Sequence, residues 1–211
     1  QTPILCGQTI TNSISAASQI DQYTYGGSAG ETLALAMTGF LNINNVKAVD
    51  FYNPSGQIIA RLNGYSVLSS NVTLAVNGTY TLLVHDDNYT DTGEYGLSIQ
   101  SVIAGGCSSK AISCGQLVST NISRRAEVDA FGFGGSAGAT VIFSFSGFSG
   151  AQFDLYDPAG IKQFTRTPAT STNFTLATTG AYTLLVHDDN FTDTGTYGFS
   201  ATCIGGCNYL I

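Results

Sequence analysis

The sequence predicts an all-β protein made of two tandem antiparallel β-sandwiches, jelly-roll-like in form. Three observations predict it. The chain repeats itself: "GTYTLLVHDDNYTDTGEYG" (Gly78 to Gly96) returns as "GAYTLLVHDDNFTDTGTYG" (Gly180 to Gly198), with only Thr79/Ala181, Tyr89/Phe191 and Glu94/Thr196 differing. The composition suits strands and turns, with charged residues at 10% of the chain, aromatics at 11% and 25 glycines among 211 residues. The hydropathy has period two: in "ATVIFSFSGF", Val141, Phe143 and Phe145 fall on one face, and Ile142, Ser144 and Ser146 on the other.

The duplication extends over nearly the whole chain. "CGQTITNSIS" (Cys6 to Ser15) answers to "CGQLVSTNIS" (Cys114 to Ser123), and "VDFYNPSG" to "FDLYDPAG". The offset between copies falls from 108 at Cys6/Cys114 to 102 at His85/His187, so the copies differ by short loop deletions. The expected domains are residues 1–108 and 109–211, joined through "SSKAI".

Within the first copy "TLALAMT" alternates Leu33 and Leu35 with small residues. The runs "AVDFY", "QIIARL", "NVTLAV", "TYTLLVHD" and "EYGLSIQSV" supply further strands. Turn signals separate them: "GGSAG", "NPSG", "VNGT" and "TDTG". Asn77-Gly78 reads as a hairpin turn between "NVTLAV" and "TYTLLV", and "DNYTDTG" as a hairpin connection. The tyrosines and phenylalanines alternate with polar residues, which suits core and cross-strand packing better than a sugar platform.

Charge narrows the functional classes. The net charge is −7 with seven Lys and Arg in all, which leaves no basic stripe to neutralise nucleic-acid phosphates or to hold an anionic membrane. No apolar run reaches the roughly 20 residues of a membrane helix. A chain starting at Gln1 is what removal of a secretory signal peptide, or trimming, leaves. Five cysteines stand near the ends of the repeats. Cys6 and Cys107 bracket the first copy, and Cys114 and Cys207 the second. That pattern reads as one disulfide per domain in an oxidising compartment, with Cys203 unpaired, intermolecular, or replacing Cys207. A bond from Cys107 to Cys114 also fits the spacing.

The chemistry concentrates in the repeated HDDN loop. His85 and His187 are the two histidines of the chain. An extended strand through them puts His85 and Asp87 on one face, a geometry open to a dyad. No serine stands in a nucleophile-elbow setting, and Asp86 and Asp87 are adjacent rather than facing across a cleft, so no catalytic set is expected. Oxygen ligands crowd the loop: Asp86, Asp87, Asn88 and Asp91, mirrored by Asp188, Asp189, Asn190 and Asp193, are candidate calcium ligands. The same residue types also make an ordinary turn. Six of 13 asparagines open N-x-S/T sequons, at Asn71, Asn77, Asn88, Asn121, Asn173 and Asn190, and are candidate glycan acceptors.

With these residues in view, each copy resembles the bacterial pre-peptidase C-terminal (PPC) domain. The features that carry the resemblance are "GQTITNSIS", "IDQYTYGGSAGETLAL", "FYNPSGQII" and "GTYTLLVHDD…TGEYGLSI", with their second-copy counterparts. The resemblance implies a secreted, non-catalytic jelly-roll-like module that accompanies enzymes. Related modules in clostridial collagenases bind calcium and collagen. No peptidase segment stands in these residues, and bracketing cysteines are no general mark of that family.

The expected function is therefore that of a secreted, extracellular or cell-surface structural protein that self-assembles into an oligomer or filament. No cofactor is required. The alternative is a calcium-assisted module for matrix or polysaccharide. The apolar ends "QTPIL" and "NYLI" are expected to dock on a neighbouring subunit.

Overall fold

Alternation along the strands sets the layers of this protein. In the computed structural model, Val141, Phe143 and Phe145 are buried, while Ser144 and Ser146 face solvent. The structure describes residues 1–39, 47–64 and 66–204, apart from the side chains of Lys47 and of residues 66–71. Cys207, the segment "NYLI" and the side chain of Asn71 lie outside the described residues.

The described residues hold strands and no helix. The first copy contributes β1 (Thr2–Pro3), β2 (Thr9–Ile14), β3 (Ile20–Gly27), β4 (Thr32–Gly39), β5 (Lys47–Tyr52), β6 (Ile58–Gly64), β7 (Ser66–Thr73), β8 (Gly78–Asp86) and β9 (Gly93–Ser101). The second contributes β10 (Lys110–Ala111), β11 (Leu117–Ile122), β12 (Val128–Gly135), β13 (Thr140–Gly147), β14 (Ala151–Tyr156), β15 (Lys162–Arg166), β16 (Ser171–Thr175), β17 (Gly180–Asp188) and β18 (Gly195–Ile204). Each copy forms a five-stranded and a four-stranded sheet, in the orders β1-β3-β8-β5-β6 with β2-β9-β4-β7, and β10-β12-β17-β14-β15 with β11-β18-β13-β16. The pairing is antiparallel apart from the short parallel ladders β1–β3 and β10–β12.

Each pair of sheets closes over one core. Leu33, Leu35, Met37, Val49, Phe51, Leu82, Val84 and Leu97 fill the first. The second puts rings at several of these positions, Phe143, Phe145, Phe153 and Phe199, and adds Phe131 where the first has Tyr23. Phe145 and Phe153 lie 4.6 Å apart between centroids, and Phe131 meets Phe199 edge-on at 4.9 Å. One topology thus tolerates a more aliphatic and a more aromatic core, because alternation and volume matter more than side-chain identity.

Two hairpin expectations are corrected. Asn77-Gly78 joins β7 to β8, and the HDDN loop joins β8 to β9, but each of these strand pairs is split between different sheets. The reason is occupancy: β8 is already flanked by β3 and β5, so neither edge is free for a sequence neighbour. Asn77 instead accepts a bond from Ala29 N–H at 2.8 Å, and Gly78 sits against Pro54, where a Cβ would come within 2.7 Å. True hairpins occur at "NPSG" and "DPAG". There Asn53 Oδ1 accepts from the Ser55 and Gln57 N–H groups, and Asp157 Oδ1 from those of Ala159 and Ile161.

The segment Gln1–Leu5 is used within its own sheet. β1 pairs with β3, Ile4 N–H donates to Thr24 O at 2.9 Å, and the Ile4 side chain is buried in the first core. Of this segment Ile4 alone is buried, and Leu5 stays 68% exposed. Cys6 and Cys107 form a disulfide across this sandwich, Cα atoms 5.6 Å apart. Cys114 Sγ accepts from Cys203 N–H at 3.1 Å, which sets Cys203 beside the second copy's opening cysteine.

A third apolar cluster joins the two sandwiches. Ala34 and Ala36 of β4, with Val102, meet Val128, Ala130, Tyr156, Leu185 and Phe191 of the second copy. The outer face of the first four-stranded sheet thus packs on the outer face of the second five-stranded sheet. All of β4 is buried on both faces, and its outward positions carry the small residues Thr32, Ala34, Ala36 and Thr38, which leave room for the second sandwich. Glycines permit the approach. A Cβ on Gly96 would lie 2.7 Å from that of Ala126, and one on Gly132 3.0 Å from the Gly105 Cα.

Candidate functional site: the duplicated histidine loops

Each HDDN loop grows from the end of a central strand. His85 sits on the outer face of β8 and His187 on that of β17, both buried. The Nδ1–H of each donates to the main-chain oxygen of the next residue, Asp86 or Asp188, at 2.8 Å. The Nε2 atoms face carboxylates on the adjacent strand: Asp50 at 3.4 Å and Asp154 at 3.3 Å. With Nδ1 committed to a carbonyl, Nε2 can donate to that carboxylate only in the charged imidazolium.

The sequence pointed to His85 with Asp87 as a pair; the structure pairs His85 with Asp50. Asp87 turns instead to Arg61, 3.4 Å away, and Arg61 also reaches Asp50 at 3.1 Å. In the second copy Asp154 accepts from Lys162 Nζ at 2.6 Å and Thr165 Oγ1 at 2.5 Å. Burial pushes the Asp154 carboxyl up, but the bond and charge of His187, with the bonds of Lys162 and Thr165, outweigh it and hold the group below the usual carboxylate range. Sequence reasoning missed Asp50 and Asp154. Their signal was present in the matched "VDFY" and "FDLY", where an acid stands between core residues in both copies.

An aromatic ring covers each imidazole. Tyr89 stacks on His85 with centroids 4.6 Å apart and planes 3° from parallel, and Phe191 on His187 at 4.7 Å and 14°. Both rings hang from residues in the left-handed backbone region, φ 58° and 60°, a conformation unfavourable for bulky residues. It lets the loop fold back on itself, and their carbonyls accept the N–H of Ser18 and of Ala126 at 3.0 Å, tying in the β2–β3 and β11–β12 loops.

The candidate calcium ligands do not converge as one set. Asp86 Oδ2 accepts the N–H groups of Thr90 and Asp91 at 3.1 Å, and Asp188 Oδ2 those of Thr192 and Asp193 at 2.9 Å. These acids close the turn from inside. Asn88, Asn190, Asp189 and Asp193 are exposed, and Asn190 Oδ1 accepts from the Thr192 hydroxyl and N–H. Among the described residues Asp188 Oδ1 has no hydrogen-bond partner. It faces Gly150 beside Asp189 Oδ1, since a Cβ on Gly150 would come within 2.2 and 3.3 Å of the two oxygens. Among the described residues, no three His, Cys, Asp or Glu side chains of these loops bring their ligand atoms within 4.8 Å of one another.

Further polar groups are tied down nearby. Tyr95 donates to Asp21 at 2.6 Å and Tyr197 to Asp129, and burial pushes both phenols up, away from ionisation at neutral pH. Of the sequon asparagines, Asn77, Asn88, Asn121, Asn173 and Asn190 are exposed. No described helix is long and apolar enough to cross a membrane.

Comparison with known proteins adds little to this geometry. No protein-family model matches the chain, and no curated protein matches it. Among solved structures, the crystal structure of tripeptidyl peptidase 2 (TPP II) aligns over 95% of this chain at 12% identity with a TM-score of 0.30. The chain spans about a quarter (24%) of that protein's length.

Proposed function

We propose that the chain is a secreted, non-catalytic structural protein, a subunit of an extracellular surface assembly or filament built from copies of itself. The observation that supports this most is how the histidine loops spend their polar groups. Imidazole, carboxylate and backbone bond to one another, a ring lies flat on each histidine, and no serine or cysteine side chain bonds to either imidazole among the described contacts. A general base needs a reacting group within about 3 Å of its free nitrogen, and here a strand-borne carboxylate occupies that place. The loops act as latches that lock the connection between sheets.

The mass distribution of the native protein, non-reduced and reduced, tests the reading. A ladder of subunit multiples is expected, with mass above 22.0 kDa per subunit where the exposed sequons carry glycan. A single 22.0 kDa species at high concentration in both samples counts against assembly.

One observation favours a second reading, a calcium-assisted module for matrix or polysaccharide: the unpartnered Asp188 Oδ1 beside Asp189 Oδ1. A cation bound by the folded state alone raises the melting temperature with concentration. A melting temperature unchanged through millimolar calcium removes this reading.

A further inference from the structure

The junction between the two sandwiches joins two different surfaces, and among the described residues each sandwich leaves exposed the surface that the other uses. We propose that a second copy of this chain docks by repeating that junction, the outer four-stranded face of the second sandwich seating on the outer five-stranded face of another copy's first sandwich. The inference rests on the assembly reading and gives that assembly its interface.

The argument is positional. Val128, Tyr156, Leu185 and Phe191 are buried at the junction. Their repeat equivalents in the first sandwich are Ile20, Tyr52, Leu83 and Tyr89, all at least partly exposed, with Ile20 47% and Tyr89 40% accessible. Gly160 lies against Val102, Ile103 and Thr32, whereas its equivalent Gly56 has open space around it. On the other side Ala34, Ala36 and Val102 correspond to Ile142, Ser144 and Ile204, and Ile204 is 57% exposed. The strands β11, β13, β16 and β18 contain no Asp, Glu, Lys or Arg at all. An uncharged open sheet lacks the usual protection against association.

A loop and a hollow also match. Within the chain, the loop at Arg125 and Ala126 presses on Gly96 beside Thr38. The equivalent place on the second sandwich, around Gly198 and Ser146, is a hollow of about 480 Å³ that Leu117, Phe148 and Thr196 help to line. The equivalent loop on the first sandwich is already shaped to enter it: Ser18 has φ 62° against 57° for Ala126, and each is held by the carbonyl of the stacked ring residue. The match is not identical, since Ile142 adds volume where Ala34 stands and Ser144 a hydroxyl where Ala36 stands. Asn121 and Asn173 lie on the two edge strands, and Asn173 stands directly opposite Ile142 on the docking face, so the contact requires Asn173 to carry no glycan. A contact of this kind is heterologous, and unless its rotation closes a ring it propagates without end.

Complementary blocks test it. Ile20→Lys spoils the five-stranded face and Ser144→Arg the four-stranded face; both positions are exposed, and unchanged thermal melting checks that each variant is folded. By analytical ultracentrifugation the wild type is expected to form species that grow with concentration, and each variant alone to remain at 22.0 kDa. An equimolar mixture is expected to stop at a dimer of twice that mass, because each variant keeps the half that the other lacks. If the wild type assembles and either variant assembles equally well, this interface is wrong while the assembly reading stands. If the mixture grows beyond dimers, the head-to-tail geometry is wrong. A wild type that never leaves 22.0 kDa removes the assembly reading and this interface together.

Discussion

Phe191 lies flat on the His187 imidazole and is buried between the two sandwiches, whereas Tyr89 stacks on His85 in the same way but stays 40% exposed. One local motif thus works in two environments. Phe191→Ala is expected to destabilise the protein by about 3–4 kcal/mol, since it empties a packed site. Tyr89→Ala is expected to cost about 1 kcal/mol. Urea unfolding of both variants measures the difference, and equal losses would mean that the junction adds nothing to the stack.

Asp154 carries three donors in the described structure, His187, Lys162 and Thr165. Asp154→Asn is expected to cost about 2–3 kcal/mol at neutral pH, the scale of charge-assisted bonds. The effect depends on pH with a definite sign. The folded carboxyl is held below its ordinary range, so its contribution is present above the unfolded value of about 3.9 and is lost as pH falls through the folded value. The melting-temperature gap between wild type and Asp154→Asn should therefore close below about pH 4. Asp129 works in the opposite sense: burial pushes its carboxyl up, Glu127 adds to this, and the bond from Tyr197 only partly offsets it. Its contribution is full at low pH and is lost as pH rises, but it is common to both proteins and cancels in the gap, so a gap that widens on acidification would contradict the assignment to Asp154.

The Cys6–Cys107 bond closes a loop with a sequence separation of 101. On loop entropy alone, such a bond stabilises by about 4–5 kcal/mol. Replacing both residues with serine should lower the first sandwich's stability by an amount of that order. Non-reducing peptide mapping should recover the Cys6–Cys107 pair, and finding Cys6 joined to another cysteine would refute the pairing.

Ala36 is fully buried at the junction. With the junction intact, both sandwiches are expected to melt in one transition. Ala36→Glu places an unpaired charge in that apolar layer and should split the melt in calorimetry, leaving two transitions where there was one. A single undivided transition in the variant would show that the halves are coupled by something other than this face.

Much of this fold was legible in the chain. Period-two runs such as Val141, Phe143 and Phe145 choose a buried face whatever the partner strand, so the all-β class and the sandwich layers follow from local pattern. Repetition of the HDDN passage marked the loops as matched units. The cysteines of the first copy flanked their module closely enough to suggest the bond that the structure contains.

The partners of those residues were decided in three dimensions. Nothing in "VHDDN" says that His85 faces Asp50, 35 residues away, rather than Asp87; the choice depends on β5 lying beside β8. Nor do Asn77-Gly78 and the HDDN loop make hairpins, because both edges of β8 are already occupied. Ala34 and Ala36 read as small residues on a solvent face until the second sandwich covers them. Alternation fixes which side of a strand is apolar, but what lies against each side depends on strand order and sheet packing, which join residues far apart in the chain.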